Sequence, residues 1–320
     1  MVVRASRALP LARATKQQRR GNRAAAGTLR SLQLQPRTLT RYAEAAKFFF
    51  NWLAEHGEPM PESVAATDEV LGEFLEDCWA QGESRSIVGD VLSGLQHFVP
   101  SLRRALNDSW RLFSTWSKNE VPSRARPLLP EQALAMAGFA LSEGDTAMAA
   151  AVLVSFNGFL RPVEVMLQAS QCTWDLDRGI VHINLGFTKS GKRAGVAEHV
   201  IIDELEAVIL LARVLGNAPG GTQLFPRGTA SFRAKFSRLV ARIGGNPTRY
   251  RPYSLRRGGA THHFQALGSL SKTCVRGRWR HQPTARIYIQ DGVAMLERGR
   301  LSSREKTLLR EGKALLRRLL

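Results

Sequence analysis

Five side chains of types that handle phosphate chemistry occur in order along the second half of the chain. They are Arg161 in FLRPVE, Lys189 in TKSGKR, Arg256 in YSLRR, Trp279 in GRW and Tyr288 in RIY. A guanidinium presents a planar fork that matches phosphate oxygens, and it stays ionised at any working pH. A tyrosine phenol can act as a nucleophile where a cationic site or a nearby proton acceptor favours loss of its proton. The set is therefore suited to breaking and rejoining a phosphodiester bond.

Such a reaction develops negative charge on the non-bridging oxygens of phosphorus, and something must stabilise that charge. The histidines and cysteines show no metal-ligand spacing, so we predict no metal site and assign this work to Arg161 and Arg256. Tyr288 is the candidate nucleophile, and the indole N–H of Trp279 can donate a hydrogen bond to a phosphate oxygen. Glu164, three residues after Arg161, is expected to orient that arginine rather than to touch the ligand.

Each of these residues also has an ordinary structural interpretation when it is considered singly. Arg161 could be a surface charge at a helix end, Lys189 a turn lysine and Tyr288 a buried phenol of the core. Their joint occurrence in this order favours the chemical interpretation. Lys192 is an alternative to Lys189 within the same turn. The glycines at 258–259 predict a close approach of the backbone to the same ligand.

The order and contexts of these residues resemble the tyrosine recombinases, also called the phage integrase family. That family has an arginine in an R-x-x-E context, a hairpin lysine, an H-x-x-R box, a His or Trp, and a tyrosine nine residues later. The resemblance covers about residues 36–300. The sequence SLRRGGAT, with GRW in the His/Trp position, is most similar to recombinases of eukaryotic mobile elements such as cryptons and the DIRS group.

The resemblance implies a site-specific DNA recombinase, integrase-like or transposase-like, that needs neither metal nor cofactor. Tyr288 would form a covalent link to a DNA 3′ end and release a 5′ hydroxyl. Lys189 would be the general acid that protonates the leaving 5′ oxygen. Lys192, Arg193 and Arg257 are further candidates for DNA contacts.

One position departs from the family pattern. Tyr253 lies three residues before Arg256, where the family most often has histidine. A phenol can donate a hydrogen bond but cannot readily act as a base near neutral pH. Either the site tolerates this change or its activity is reduced. His281 and the pair at 262–263 are close enough in sequence to compensate, although packing or surface roles are the ordinary interpretation.

Composition limits the classes of partner. Lys and Arg number 46 against 27 Asp and Glu, and the net charge is +19. Such a charge attracts polyanions, of which nucleic acid is the commonest, and the family resemblance implies double-stranded DNA with a specific target site as the partner. A membrane surface is the alternative, but no apolar run approaches the roughly 20 residues that cross a bilayer. Three widely spaced cysteines (Cys78, Cys172 and Cys274) suit a reducing compartment. We expect an intracellular protein of the nucleus or nucleoid, with organelle targeting by the basic N-terminus left open.

The elements predicted around these residues make a mainly α-helical protein with one small antiparallel β-sheet. Residues 1–35 are expected to form a basic, disordered arm, because the first 43 residues contain no acid. Four helices at 36–118 predict an all-α domain, which resembles the core-binding domain that clamps DNA in the family. A Pro-rich linker at 119–130 precedes an α+β catalytic domain at 131–300.

Local patterns predict several details of these elements. Asp68 is a plausible N-cap of the second helix, and the aromatic residues of this domain have the helical spacing of a core. The alternating segments GIVHINLGF and VAEHVIID flank a glycine-containing turn, which predicts a β-hairpin. The C-terminal helix at 301–320 has one apolar face, which either packs on its own domain or docks on a neighbouring protomer. Strand exchange in the family needs four cleavages, so the resemblance implies a homotetramer on two DNA sites.

Other function classes fit part of the sequence. A catalytically silent DNA-binding derivative of a mobile element would explain Tyr253. A type IB topoisomerase-like nicking and closing enzyme shares the chemistry, but the four-helix domain and the apolar C-terminal helix favour recombination over it. A basic chromatin protein would explain only the charge.

Overall fold

The computed structural model of this chain describes residues 14–121, 123–175, 177–188, 191 and 195–320. It divides into two compact units, with the division between Ser123 and Arg124. This point lies inside the segment 119–130 that the sequence predicts as a linker. No helix among the described residues is long and apolar enough to cross a membrane.

The N-terminal unit contains helices and, over its described residues, no strand. The helices are α1 (Lys16–Ala26), α2 (Leu29–Leu32), α3 (Pro36–His56), α4 (Val64–Ala80), α5 (Arg85–Phe98) and α6 (Asn107–Asn119), with a 3-10 turn at Pro100–Leu102. Helices α3 to α6 enclose an apolar core that includes Phe49, Phe74 and Trp116. Phe50 and Trp79 are instead 41% and 47% exposed, so the prediction of core positions is wrong for these two.

Helix α1 corrects the prediction of a disordered arm, of which residues 1–13 lie outside the described part. The backbone N–H of Gln18 donates to the Thr15 hydroxyl at 3.2 Å, and the Gln18 side chain accepts from the Thr15 N–H at 2.8 Å. This capping box satisfies two N–H groups at the helix start. The Arg, Gln and Ala residues that follow are good helix formers. No residue of α1 is buried, so local terms account for its helical structure.

Asp68 caps a different helix from the one predicted. Helix α4 begins at Val64, where the Ser63 hydroxyl accepts from the backbone N–H of Ala66 at 3.1 Å. The Asp68 carboxylate instead accepts from the backbone N–H groups of Asp108 and Ser109, each at 3.0 Å. These N–H groups belong to the first turn of α6, and their hydrogen bonds lower the pKa of Asp68 although burial acts against this. The carboxylate therefore ties α4 to α6.

The C-terminal unit combines helices with one three-stranded sheet. Its helices are α7 (Pro130–Ser142), α8 (Thr146–Asn157), α9 (Leu205–Leu215), α10 (Gly228–Arg242), α11 (Tyr253–Leu267), α12 (Leu270–Gly277), α13 (Gln282–Tyr288), α14 (Asp291–Arg300) and α15 (Ser303–Leu319). Its strands are β1 (Cys172–Asp175), β2 (Ile180–Gly186) and β3 (Glu198–Ile202), in the order β1-β2-β3. Both strand pairs are antiparallel, so the predicted fold class is confirmed.

The hairpin prediction is confirmed, and one strand was missed. Strands β2 and β3 pair with Val181 opposite Ile202 and Ile183 opposite Val200, which places these four apolar residues on the buried face. Strand β1 has only four residues and little alternation of polarity, so its sequence carries no strand signal. It pairs along the other edge of β2. Helix α8 is apolar on all sides because the core surrounds it, as the run of apolar residues predicts.

The C-terminal helix packs on its own chain, which is the first of the two alternatives that the sequence leaves open for 301–320. Leu309 and Leu316 of α15 are buried in the same core as the residues of α7. The two helices approach most closely where Gly138 of α7 faces Gly312 of α15. A Cβ atom at Gly138 would overlap the carbonyl oxygen of Gly312, so the absence of a side chain permits this approach. The apolar face that the sequence shows is therefore occupied within the chain.

Substitution of Gly138 by alanine is expected to lower the free energy of unfolding by about 3 kcal/mol, because the added methyl forces two packed backbones apart. Urea denaturation measures this change. Gly299→Ala is the control, since Gly299 lies within α14 and nothing is within 4 Å of its built Cβ. The control should be neutral or slightly stabilising. Equal stabilities of the two variants would contradict this account of the α7–α15 contact.

Candidate active site

Arg161 lies directly after the turn that ends α8. Its backbone N–H donates to Glu164 Oε2 at 2.8 Å, and its Nη1 donates to Glu164 Oε1 at 2.5 Å. Nη1 also lies 3.5 Å from Glu198 Oε2 of β3. Glu164 opens a 3-10 turn, so the R-x-x-E spacing returns its carboxylate to the arginine. The structure thus places Glu164 where the sequence predicts an orienting carboxylate.

Arg256 is fully buried on helix α11. Its Nη1 donates to the carbonyl of Phe159, and its Nη2 donates to the carbonyl of Gly277 at 2.8 Å. Its Cζ lies 4.8 Å from the ring centroid of Trp279 and 5.3 Å from that of Tyr288. These contacts hold the guanidinium against the two aromatic rings, where a cation interacts favourably with their faces.

Arg278 belongs to the same cluster and was missed by the sequence analysis. Its side chain is only 7% exposed, its Nη2 donates to Glu164 Oε2 at 2.8 Å, and its Nε lies 3.3 Å from Glu198 Oε2. Its φ of 58° is left-handed, which is costly for a residue other than glycine. Nothing in the sequence marks this position except that GRW places an arginine beside Trp279. The partner carboxylates lie far away along the chain.

The cluster holds more positive than negative charge. The pKa of Arg256 is lowered to about 10, first by burial and then by repulsion from Arg278 and Arg161. The pKa of Arg278 is also lowered, chiefly by burial. Burial disfavours the charge of Arg161 too, but the attraction of Glu164 and Glu198 outweighs it and raises that pKa. All three arginines therefore stay charged at neutral pH, and a bound anion would relieve their repulsion.

Tyr288 lies at the C-terminal end of α13, beside Tyr253 of α11. The two phenol oxygens are 3.0 Å apart. The ring of Tyr288 stacks on Trp279 with a centroid distance of 4.7 Å. A small apolar cluster of Phe159, Ala260, Cys274, Trp279 and Ala285 supports this stack.

The backbone of the candidate nucleophile is also held in place. The backbone N–H of Gln290 donates to the hydroxyl of Thr261 on α11 at 3.0 Å, and that hydroxyl lies 3.4 Å from the carbonyl oxygen of Tyr288. These contacts tie the end of α13 to α11, which also carries Arg256 and Tyr253. One helix therefore positions three of the groups that meet at this site.

Tyr253 is a neutral phenol at physiological pH. Burial and the hydrogen bond with Tyr288 raise its pKa to about 12. Such a phenol donates a hydrogen bond and does not accept a proton as a base. The position where the family most often has histidine thus holds a hydroxyl that is hydrogen-bonded to the candidate nucleophile, and either oxygen can be the donor.

Alkaline pH should destabilise the protein through the buried phenol of Tyr250 and the half-buried phenol of Tyr253. Tyr250 donates to Glu297 Oε2 at 2.8 Å, and burial and this hydrogen bond raise its pKa to about 12 as well. An unfolded tyrosine titrates near 10, so each neutral phenol stabilises the fold fully below about pH 10 and loses this contribution as pH rises towards 12. Unfolding free energies measured from pH 8 to 11 should fall less steeply for Tyr250→Phe and Tyr253→Phe than for wild type. Phe236→Leu, which removes no titrating group, should keep the wild-type slope.

The other residues predicted for the site either lie outside the described residues or make no contact that supports the predicted role. Lys189, Lys192 and Arg193 lie outside the described residues. His281 is exposed at the N-terminal cap of α13, and its side chain makes no hydrogen bond or ion pair among the described residues. His263 packs on Phe159 and contacts the Thr273 hydroxyl at 2.9 Å, which is the packing role rather than a compensating one.

The prediction for the two glycines is wrong. Gly258 and Gly259 are buried within α11, and Cβ atoms there would overlap the carbonyl oxygens of Leu128 and Phe156. They allow close packing of protein backbone, not of a ligand. Arg257, beside them, is 5% exposed, and its Cζ lies 5.7 Å from the ring centroid of Tyr288. Among the described residues no cluster of His, Cys, Asp and Glu could hold a metal ion.

Comparison with solved structures shows the fold class. A lambda integrase dimer bound to a COC′ core site matches with a TM-score of 0.55 at 16% identity, covering 86% of this chain and 94% of that one. The integrase of the transposon Tn1549, in complex with a circular intermediate DNA, matches with a TM-score of 0.54 at 14% identity, covering 82% of this chain and 99% of that one. No protein-family model matches the sequence, and no curated protein matches it.

The chain therefore has a tyrosine-recombinase fold. At sequence identities of 14% and 16%, the structural similarity defines the fold only. The activity has to be argued from the residues of the site. The similarity in wording to crypton and DIRS recombinases stays a prediction.

Proposed function

We propose that this protein is a site-specific DNA recombinase that cleaves and rejoins DNA through a 3′-phosphotyrosyl intermediate on Tyr288. The observation that carries the proposal is the position of Tyr288, whose ring stacks on Trp279 and has its centroid 5.3 Å from the Cζ of the buried Arg256. A guanidinium this close to the candidate nucleophile can stabilise the negative charge that gathers on phosphate oxygens during attack.

The reaction balances with groups of the chain. The Tyr288 oxygen attacks phosphorus and forms the new P–O bond, while the bond to the 5′ oxygen breaks. The leaving 5′ oxygen takes a proton, for which the family resemblance nominates Lys189 as donor. The phenol proton of Tyr288 leaves to water, so one proton is lost from the nucleophile and one is supplied to the leaving 5′ oxygen. Rejoining is the reverse reaction with a new 5′ hydroxyl, so the phosphotyrosyl bond conserves the energy of the broken one.

Tyr253 would act as a hydrogen-bond donor in this scheme. Its oxygen is 3.0 Å from that of Tyr288, and its pKa of about 12 keeps it protonated. As negative charge develops on the Tyr288 oxygen, a donor at this distance stabilises it. After attack, the same hydroxyl could donate to a non-bridging phosphate oxygen. A phenol can therefore fill the hydrogen-bonding part of the histidine's role.

The second candidate is a catalytically silent DNA-binding derivative, and one observation favours it. Arg256 is fully buried, and both of its terminal nitrogens already donate to backbone carbonyls. Because Arg256 is 0% exposed, a phosphate can reach its remaining N–H groups, which include an Nε without a hydrogen-bond partner among the described residues, only if a neighbouring group moves. In a silent derivative Arg256 would be purely structural, and Tyr253 would mark the loss of the catalytic histidine.

Double-stranded DNA is the proposed partner. The net charge of +19 and the cationic cluster support it, as do the neighbouring structures, which are themselves bound to DNA. A homotetramer on two DNA sites stays a prediction by analogy. Because α15 packs within its own chain, its apolar face gives no support to this prediction.

Covalent trapping tests the proposed function. Wild type, Tyr288→Phe and Tyr253→His are incubated with a randomised library of nicked duplexes, and detergent-resistant adducts are sequenced and mapped by mass spectrometry. An adduct on Tyr288 that is absent from the Phe variant supports the recombinase and reports the target site. If only Tyr253→His forms the adduct, the fold is competent and the natural site is impaired. DNA binding by all three without any adduct supports the silent derivative.

A further inference from the structure

A cavity of about 580 Å³ opens beside Tyr253 in the C-terminal unit. Its lining includes Thr229, Arg233, Arg251, Tyr253 and Arg257. None of the described lining residues carries a carboxylate, so three arginines line the cavity without an acidic residue in its described wall. A cavity lined by charges of one sign concentrates their electric field, and a positive field attracts an anion.

Arg257 is the strongest indication that a ligand belongs here. Arg257 is only 5% exposed, yet its Nη1 has no hydrogen-bond partner among the described residues. Burial and repulsion from Arg124 lower the pKa of Arg257. A buried cation without a partner is costly unless an anion satisfies it. The residue therefore fits a site that is completed by a bound group.

The other cations are placed to complete the same site. Thr229 and Arg233 are four residues apart on α10 and share a helix face. Thr229 is in the first turn of this 15-residue helix, whose N-cap residue Arg227 provides no side-chain hydrogen bond. Neither Arg233 nor Arg251 makes an ion pair with a described residue. Exposed arginines, a threonine hydroxyl and a helix start are groups that commonly bind phosphate.

We infer that this cavity binds the DNA phosphate next to the one that Tyr288 attacks. Tyr253 connects the two positions, because its side chain lines the cavity while its oxygen lies 3.0 Å from that of Tyr288. A strand whose phosphate occupies the cleavage site must place its neighbouring phosphate close by, and this cavity is the adjoining cationic space. This role rests on the proposed function, because it takes Tyr288 as the reacting group.

The test measures duplex binding without cleavage. Every protein carries Tyr288→Phe, and the ligand is a fluorescent random-sequence duplex titrated between about 50 and 200 mM NaCl. Arg233→Gln and Arg251→Gln should each weaken binding and reduce the slope of log affinity against log salt by about 0.9, the value expected for one lost phosphate contact. Arg238→Gln is the matched control, because Arg238 is also an exposed arginine of α10 but does not line this cavity. It should leave the slope unchanged.

A second arm distinguishes a DNA strand from a free anion. Inorganic phosphate is titrated at constant ionic strength while thermal unfolding is followed. We expect no saturable stabilisation below millimolar phosphate. Saturable stabilisation that Arg233→Gln removes, with duplex binding unchanged, would overturn the DNA assignment in favour of a small anion. Arg257→Lys, which keeps the charge, should weaken duplex binding without unfolding the protein.

If Arg233→Gln and Arg238→Gln give equal slopes of log affinity against log salt, the cavity does not bind a DNA phosphate and the inference is wrong. This outcome differs from failure of the proposed function, because no adduct is needed for the binding measurement. If Tyr288 forms adducts but the slopes are equal, the recombinase stands and the cavity has no phosphate role. If no adduct forms but Arg233→Gln and Arg251→Gln reduce the salt dependence of duplex binding, the cavity binds DNA and the catalytic proposal fails.

Discussion

Replacing Arg256 with lysine is expected to reduce the rate of adduct formation on Tyr288 by about 10³-fold. The guanidinium donates to the carbonyls of Phe159 and Gly277 at once, and its Cζ lies over the rings of Trp279 and Tyr288. A lysine ammonium is a point charge without this planar fork, so it can keep the charge but not both contacts and the stacking. Single-turnover trapping on the duplex recovered from the library measures the rate.

A loss of folding would imitate this result, so a matched arginine is needed. Arg276 of α12 likewise makes two polar contacts, donating to the carbonyl of Asn157 and pairing with Asp203, but it lies outside the cluster of Arg161, Arg256 and Arg278. Arg276→Lys should change stability by urea denaturation but leave the adduct rate within a few-fold of wild type. If Arg256→Lys reacts as fast as Arg276→Lys, Arg256 is a structural residue and the silent derivative gains support.

Removing the charge of Glu164 is expected to lower the free energy of unfolding by about 3 to 5 kcal/mol. Its side chain is 7% exposed and pairs with both Arg161 and Arg278. Glu164→Gln preserves the shape but leaves three guanidinium groups facing Glu198 as the remaining carboxylate of the cluster. The uncompensated buried charge produces the loss. Urea denaturation at pH 7 in low salt measures it.

A bound anion should reverse part of this loss. Sulfate or phosphate added at constant ionic strength should stabilise Glu164→Gln more than wild type, because an anion can replace the missing charge. The control is Glu131→Gln, since Glu131 forms an exposed ion pair with Arg298 at 3.1 Å and should cost less than about 1 kcal/mol. Equal stabilities of the two variants, with no difference in anion response, would mean that the cluster is not an anion site.

Local sequence determined the elements of this protein and most residues of its site. Helical periodicity and end signals identify α3, α5, α8 and α15. The spacing of apolar residues along a helix shows whether one face or the whole helix is buried, and this spacing is a property of the local sequence. Alternation around a glycine-containing turn identifies the β2–β3 hairpin for the same local reason. The order of Arg161, Arg256, Trp279 and Tyr288 points to phosphate chemistry because side-chain type limits what each residue can do.

Only the tertiary structure decided which partners those residues meet. Asp68 caps α6 rather than α4, and the apolar face of α15 is covered by α7 of the same chain. Arg278 joins the cationic cluster because Glu164 and Glu198 come to it from distant parts of the sequence. A sequence pattern records that a face is apolar or a side chain is charged, but not what lies against it. Burial and pairing energies depend on contacts between distant segments, so these partners follow only from the folded chain.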